Sequence, residues 1–178
     1  MKIVIDGNLP KAMGLTRAEL KAAARLFAAR SSARIGIPFR EVTVILQDAA
    51  ASDAAHRAIM NVAGATDVIT QGYEAIPPEP EGIYGELYVN CDQAQRVAPK
   101  RRGWSVAKEL LLYVAHGMDH LSGADDHSPR DYARMRRREL NWLKVLEGED
   151  MRHETRDANW SPVSCPNPFM SHVSRLMS

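Results

Sequence analysis

Cysteine is almost missing from this chain. Cys91 and Cys165 are its only two, too few for a disulfide framework and too far apart for a zinc-binding pair, so both read as structural thiols. Long apolar runs are missing as well. No stretch approaches the roughly 18 to 20 residues that span a bilayer, and the opening Met1-Lys2-Ile3-Val4-Ile5-Asp6 reads as a strand and not as a secretory leader. The expectation is a cytoplasmic protein with no membrane partner. Charge of one sign is also scarce: 23 basic against 22 acidic residues leave a formal net charge of +1. That excludes a generally basic nucleic-acid coat and leaves only local clusters for RNA contact. There are no internal repeats and no low-complexity module. At 178 residues and 45% hydrophobic, the chain has the composition of an ordinary globular domain, and disorder throughout is excluded.

What the chain does have is concentrated in His116-Gly117-Met118-Asp119-His120-Leu121-Ser122-Gly123-Ala124-Asp125-Asp126-His127, which holds three of its six histidines. Residues four apart on a helix share a face, so His116 and His120 can present two imidazoles to one metal ion. Gly123 marks a helix stop, after which the returning chain brings a third ligand, Asp126 or His127, toward the same ion. Asp126 is preferred and His127 is the alternative, both being competent ligands. The preceding Leu110-Leu111-Leu112-Tyr113-Val114-Ala115 places His116 at the edge of a buried helix, where an unpaired imidazole pair is poorly solvated. One residue type is missing here: peptidases of the His-Glu-x-x-His type carry a glutamate directly after the first histidine, and this chain has Gly117. An ordinary metalloprotease mechanism is therefore not expected. The ligand set suits Zn2+ first, with iron, nickel or manganese also accepted by two imidazoles and a carboxylate.

Patterning alternates strand and helix. Strands are expected at residues 2–5, 42–46, 67–70 and 87–89, and helices from a Thr16/Glu19 capping box to Ala29 and from a Ser52 cap to Met60. Further helices are expected at 92–97, from Ser105 to Ser122, and from Ser128-Pro129 to Leu146. In the last of these Tyr132, Met135, Leu140, Trp142, Leu143 and Leu146 form an apolar stripe, so Met135 reads as core. Residues 72–82 are proline-rich and acidic, a loop expected at the rim of any RNA groove or folded over it because its charge repels phosphate. Residues 149–178 change character: three prolines, no periodicity, and scattered apolar anchors at Trp160, Phe169, Met170, Leu176 and Met177, with His153 and His172 as surface residues. The domain is thus placed at 1–148, with 149–178 an extension of unknown role.

The run from Glu109 to Trp142 resembles the signature of the YbeY family of metal-dependent bacterial endoribonucleases and rRNA maturation factors. Thr66-Asp67-Val68-Ile69-Thr70 and Gly85-Glu86-Leu87-Tyr88-Val89 are similar to two further strands of that family, in the same order. The resemblance covers about residues 1 to 146. It implies an α+β domain: a small mixed sheet of about four strands covered by helices, with the histidines at the end of a central helix. Three positions depart from the family. Its third histidine falls on Asp126, a normally apolar position holds Asp119, and the arginine that precedes its Thr-Asp-Val strand is Met60. Asp119 is read as facing solvent or as contacting a ligating histidine. Arg57, one helical turn before Met60, is the candidate substitute.

The activity implied is single-strand RNA cleavage in rRNA maturation, at the 3′ end of 16S rRNA, and in ribosome quality control. The partners implied are the small ribosomal subunit and its assembly factors. Two basic clusters bear on this. Lys100, Arg101 and Arg102 precede the histidine helix and are candidates for sequence-independent phosphate contact. Arg134, Arg136, Arg137 and Arg138 read as a solvated face balancing Glu139, Glu147 and Glu149. The alternatives are a ribosome-associated assembly factor with a structural metal, or a metal-dependent hydrolase of another substrate.

Overall fold

A computed structural model describes residues 1–148. The anchors and histidines at 153–177, Cys165 and Glu149 lie outside the described residues. Four strands and five helices follow in the order β1 (Lys2–Asp6), α1 (Arg17–Ile35), β2 (Phe39–Gln47), α2 (Ala49–Met60), β3 (Val68–Tyr73), β4 (Ile83–Asn90), α3 (Cys91–Val97), α4 (Val106–Leu121) and α5 (Pro129–Leu146). The sheet has the order β1-β2-β4-β3. β1, β2 and β4 run parallel, and β3 returns antiparallel along β4. This is the α+β architecture the sequence implied.

Alternation explains which face of the sheet is covered. Ile3, Val42, Val44, Leu87 and Val89 are buried, while their neighbours Val4, Thr43, Glu86 and Tyr88 point to the opposite, partly exposed face. Against the covered face lies α4, whose Leu110, Leu112, Val114, Ala115 and Met118 are all fully buried. A helix apolar nearly all round belongs inside a domain, and α1 and α5 complete its surroundings, with Phe27 and Trp142 stacked at 6.0 Å between ring centroids.

Several boundaries moved for local reasons. α1 begins at the expected capping box, with the Glu19 N–H donating to Thr16 Oγ1 at 3.2 Å, but continues past Ala29 to Ile35. α2 starts earlier than expected because Asp48 is its cap, accepting from the Ala51 N–H at 2.8 Å, while the Ser52 hydroxyl donates to the Thr66 carbonyl at 3.3 Å. Gly72 and Tyr73 join β3 because they pair with Gly85 and Tyr84 of β4, and Ile83 opens β4 opposite Phe39 of β2. In α5, Tyr132 and Leu146 are exposed, whereas Glu139 is buried beside Met135, Trp142 and Leu143. Cys91 is buried at the start of α3, and burial pushes its thiol up to about 11, in keeping with a structural thiol.

Candidate metal centre

Helix α4 is capped by Ser105, whose hydroxyl accepts from the Lys108 N–H at 3.1 Å, and ends at Leu121. Gly123 follows with φ of 79°, the left-handed conformation that reverses the chain after a helix. The reversal brings Asp126 back over the last turns of α4. His116 and His120 project side by side from those turns, ring centroids 4.4 Å apart. Their Nε2 atoms are 3.1 Å apart, and Asp126 Oδ2 and Oδ1 lie 3.7 and 3.9 Å from them respectively. All three side chains are partly exposed, so the cluster opens to solvent.

The opposite edge of each imidazole is already committed. His116 Nδ1 lies 2.6 Å from Glu139 Oε1 on α5, and His120 Nδ1 lies 3.0 Å from the Ala124 carbonyl oxygen. A carbonyl oxygen only accepts, and an ionised carboxylate only accepts, so both Nδ1 atoms carry the hydrogen. With both rings neutral, the two Nε2 lone pairs face each other across 3.1 Å with a carboxylate alongside. Such an arrangement fits a shared cation, and the three ligand atoms fall within 4.8 Å of one another. Burial lowers the pKa of His116, but the hydrogen bond and charge of Glu139, with the carboxylates of Asp67 and Asp126, outweigh it and raise the group above its ordinary value.

Gly117 occupies the position of the missing glutamate for a steric reason. A Cβ there would stand 2.7 Å from Leu87 Cδ2 and 3.2 Å from Val68 Cγ2, so any side chain at this point would have to displace the buried Leu87 for α4 to rest as closely on β3 and β4. That face of the helix looks at the sheet, away from the imidazoles.

The side chain of His127 is 91% exposed and turned toward Asp125, Nε2 to Oδ1 3.5 Å. Asp125, Asp126 and His127 also form a compact acidic group, but Asp126 directs its oxygens to the histidine pair. Asp119 neither faces solvent nor touches a histidine. It is fully buried, bonded by Arg138 Nε at 2.8 Å and Arg34 Nη2 at 3.1 Å, because the flank of α4 beside the histidines on which it lies meets α1 and α5. Burial raises its carboxyl pKa while the two guanidiniums pull it down.

The arginines of α5 are correspondingly less uniform than a solvated face. Arg138 serves Asp119, Arg136 Nη1 lies 3.4 Å from Glu139 Oε2, Arg134 pairs with Asp131, and Glu147 pairs with Lys108.

Arg57 is exposed in the last turn of α2 and pairs with Asp53 at 3.0 Å. Lys100 and Arg102 are exposed, and Arg101 donates to buried Glu109 at 2.8 Å. These three stand before the first turn of α4, and about 15 Å of helix separates Val106 from His116 at about 1.5 Å per residue. The acidic 72–82 segment leaves β3 where Gly72 lies against Leu121, at the same end of α4 as the histidines.

Glu139, expected on a solvated face, is instead buried against His116. Its signal was present: a carboxylate four residues after Met135 and three before Trp142, inside the apolar stripe of α5.

A family model described as Endoribonuclease YbeY matches residues 11–147. Proteins named Endoribonuclease YbeY from Arthrobacter sp. and Renibacterium salmoninarum are 30% and 32% identical over 124 residues, 66% of this chain and 78% of theirs. One from Rhodopirellula baltica is 42% identical over 82 residues, 46% of this chain and 41% of that protein. The solution structure of a Thermotoga maritima protein, 22% identical, shares the fold with a TM-score of 0.55, covering 92% of this chain and 99% of that one.

Proposed function

The chain belongs to the endoribonuclease YbeY family, and we propose that it is a metal-dependent endoribonuclease of single-stranded RNA, acting in rRNA maturation at the 3′ end of 16S rRNA and in ribosome quality control. One observation carries the reading. Two imidazole Nε2 atoms and the Asp126 carboxylate converge at the open end of α4, in a chain whose relatives are named for RNA cleavage.

In this reading His116, His120 and Asp126 hold one divalent ion, zinc by first expectation. When bound, the ion supplies Lewis acidity toward a phosphate oxygen of the substrate. Three protein groups would hold the ion, and the partly exposed cluster would leave it open to a substrate oxygen. Gly117 contributes no base, so the attacking oxygen, from water or from the ribose 2′-hydroxyl, loses its proton elsewhere. Lys100, Arg101 and Arg102, exposed ahead of the first turn of α4, would serve phosphates remote from the scissile one, and Arg57 would do so by exchanging Asp53 for a phosphate. Such contacts position the strand without reading its sequence and weaken with salt. The small ribosomal subunit and its assembly factors are the partners, and the cytoplasm is the place of action. No helix among the described residues is long and apolar enough to cross a membrane.

A second reading, an assembly factor with a structural metal, draws on Met60 standing where the family has arginine. The experiment that separates them offers a single-stranded RNA oligonucleotide to the purified chain with and without chelator. Cleavage that stops on chelation, returns with zinc and is abolished in His116→Ala supports the enzyme. Cleavage indifferent to both treatments overturns the metal mechanism, and a zinc-loaded chain that cleaves nothing favours the assembly factor.

A further inference from the structure

We propose that Glu139 is a positioning residue of the metal site: its carboxylate, reaching from α5, selects the tautomer and orientation in which His116 offers Nε2 to the cation. The inference deepens the reading above and rests on it.

The contact between His116 Nδ1 and Glu139 Oε1, at 2.6 Å, is the closest approach to either imidazole of the pair. A carboxylate has no hydrogen to give, so it holds Nδ1 protonated and leaves the lone pair on Nε2, aimed at His120 and Asp126. His120 is set by the neutral carbonyl of Ala124, whereas His116 is set by a full negative charge. An anion behind the ring strengthens it as a donor to a cation on its other side.

Glu139 is only 1% exposed, and a buried carboxylate persists only with partners. It has two: His116 on one oxygen and Arg136 on the other, the latter braced by the Tyr132 hydroxyl at 3.3 Å. Fastening α4 to α5 does not account for it, because Asp119 and Arg138 already bridge the same two helices. What Glu139 adds is a fixed acceptor behind one ring.

The test uses the full chain, zinc affinity by chelator competition, and 15N spectra of the histidine rings. In the apo wild type, His116 should be protonated at Nδ1. Glu139→Gln keeps one acceptor oxygen and should retain that tautomer, with zinc binding within about tenfold of wild type. Glu139→Met, similar in volume and without an acceptor, should lose the tautomer and bind zinc about ten- to a hundredfold more weakly. A folded Glu139→Met with wild-type zinc affinity overturns the inference, and so does a wild-type His116 protonated at Nε2 alone. Should Glu139→Met fail to fold, the wild-type spectrum decides. A wild type that takes up no zinc is a separate result, and it overturns the metal reading itself.

Discussion

Leu87 of β4 presses into α4 at Gly117, where any side-chain carbon would stand 2.7 Å from its Cδ2. The contact sets how deeply the helix sits on the sheet, and so the height of the two imidazoles one position before and three positions after it. Gly117→Ala is expected to destabilise the fold by about 1–3 kcal/mol through overpacking, read as a lower denaturation midpoint at unchanged slope. Gly117→Glu, which would write a His-Glu-x-x-His motif into the chain, is expected to yield no soluble folded protein and no peptidase activity.

His127 and Asp126 are neighbours in sequence with opposite surroundings. His127→Ala should leave bound zinc, by elemental analysis, and RNA cleavage within about threefold of wild type, because removing an exposed side chain without partners in the core costs little. Asp126→Ala should lower both by at least about tenfold. A reversed order would assign the third ligand to His127.

The raised pKa of His116 gives opposite pH dependences to the two forms of the protein. A group whose folded pKa lies above its unfolded value stabilises the fold below the unfolded pKa, and that contribution disappears as pH rises through the folded pKa. For the metal-free chain, this group therefore favours higher melting temperatures below about pH 6.5. A zinc-loaded chain needs Nε2 free of its proton, so metal affinity should fall as pH drops through the same window. Thermal melts of both forms at pH 6 and pH 8 check the two signs together.

Asp119 is the buried partner of two guanidiniums, from Arg34 and Arg138. Asp119→Ala strands both cations and should cost about 3–5 kcal/mol. Replacing the set together, Asp119→Leu with Arg34→Met and Arg138→Met, should fall close to wild-type stability, since a well-packed apolar replacement of a buried ion cluster is often neutral or better. Urea denaturation of the two variants distinguishes a charge left without partners from a lost contact.

Much of this could be read in advance, and the exceptions share a cause. The helical spacing of His116 and His120, the turn at Gly123 and the choice of Asp126 as the nearer side chain are local properties, set within one helix and one loop. Strand alternation and capping at Thr16, Ser105 and Ser128 are local too. Glu139, Asp119 and Gly117 are defined by what lies opposite them on another element: a histidine, two arginines and a leucine. Their charge or smallness is visible in the sequence, but the partner that gives it meaning is not. Lys100, Arg101 and Arg102 make the same point along one helix, since they precede the histidine pair in sequence yet stand at the other end of α4.

The carbonyl that steadies His120 belongs to Ala124, two residues before Asp126, in the same short reversal of the chain. Ring and carboxylate are therefore fastened to one piece of backbone, and whatever displaces that piece withdraws two donors at once. A cation bound there should then lose two of its three holds in a single event, leaving only the imidazole that α5 keeps in place.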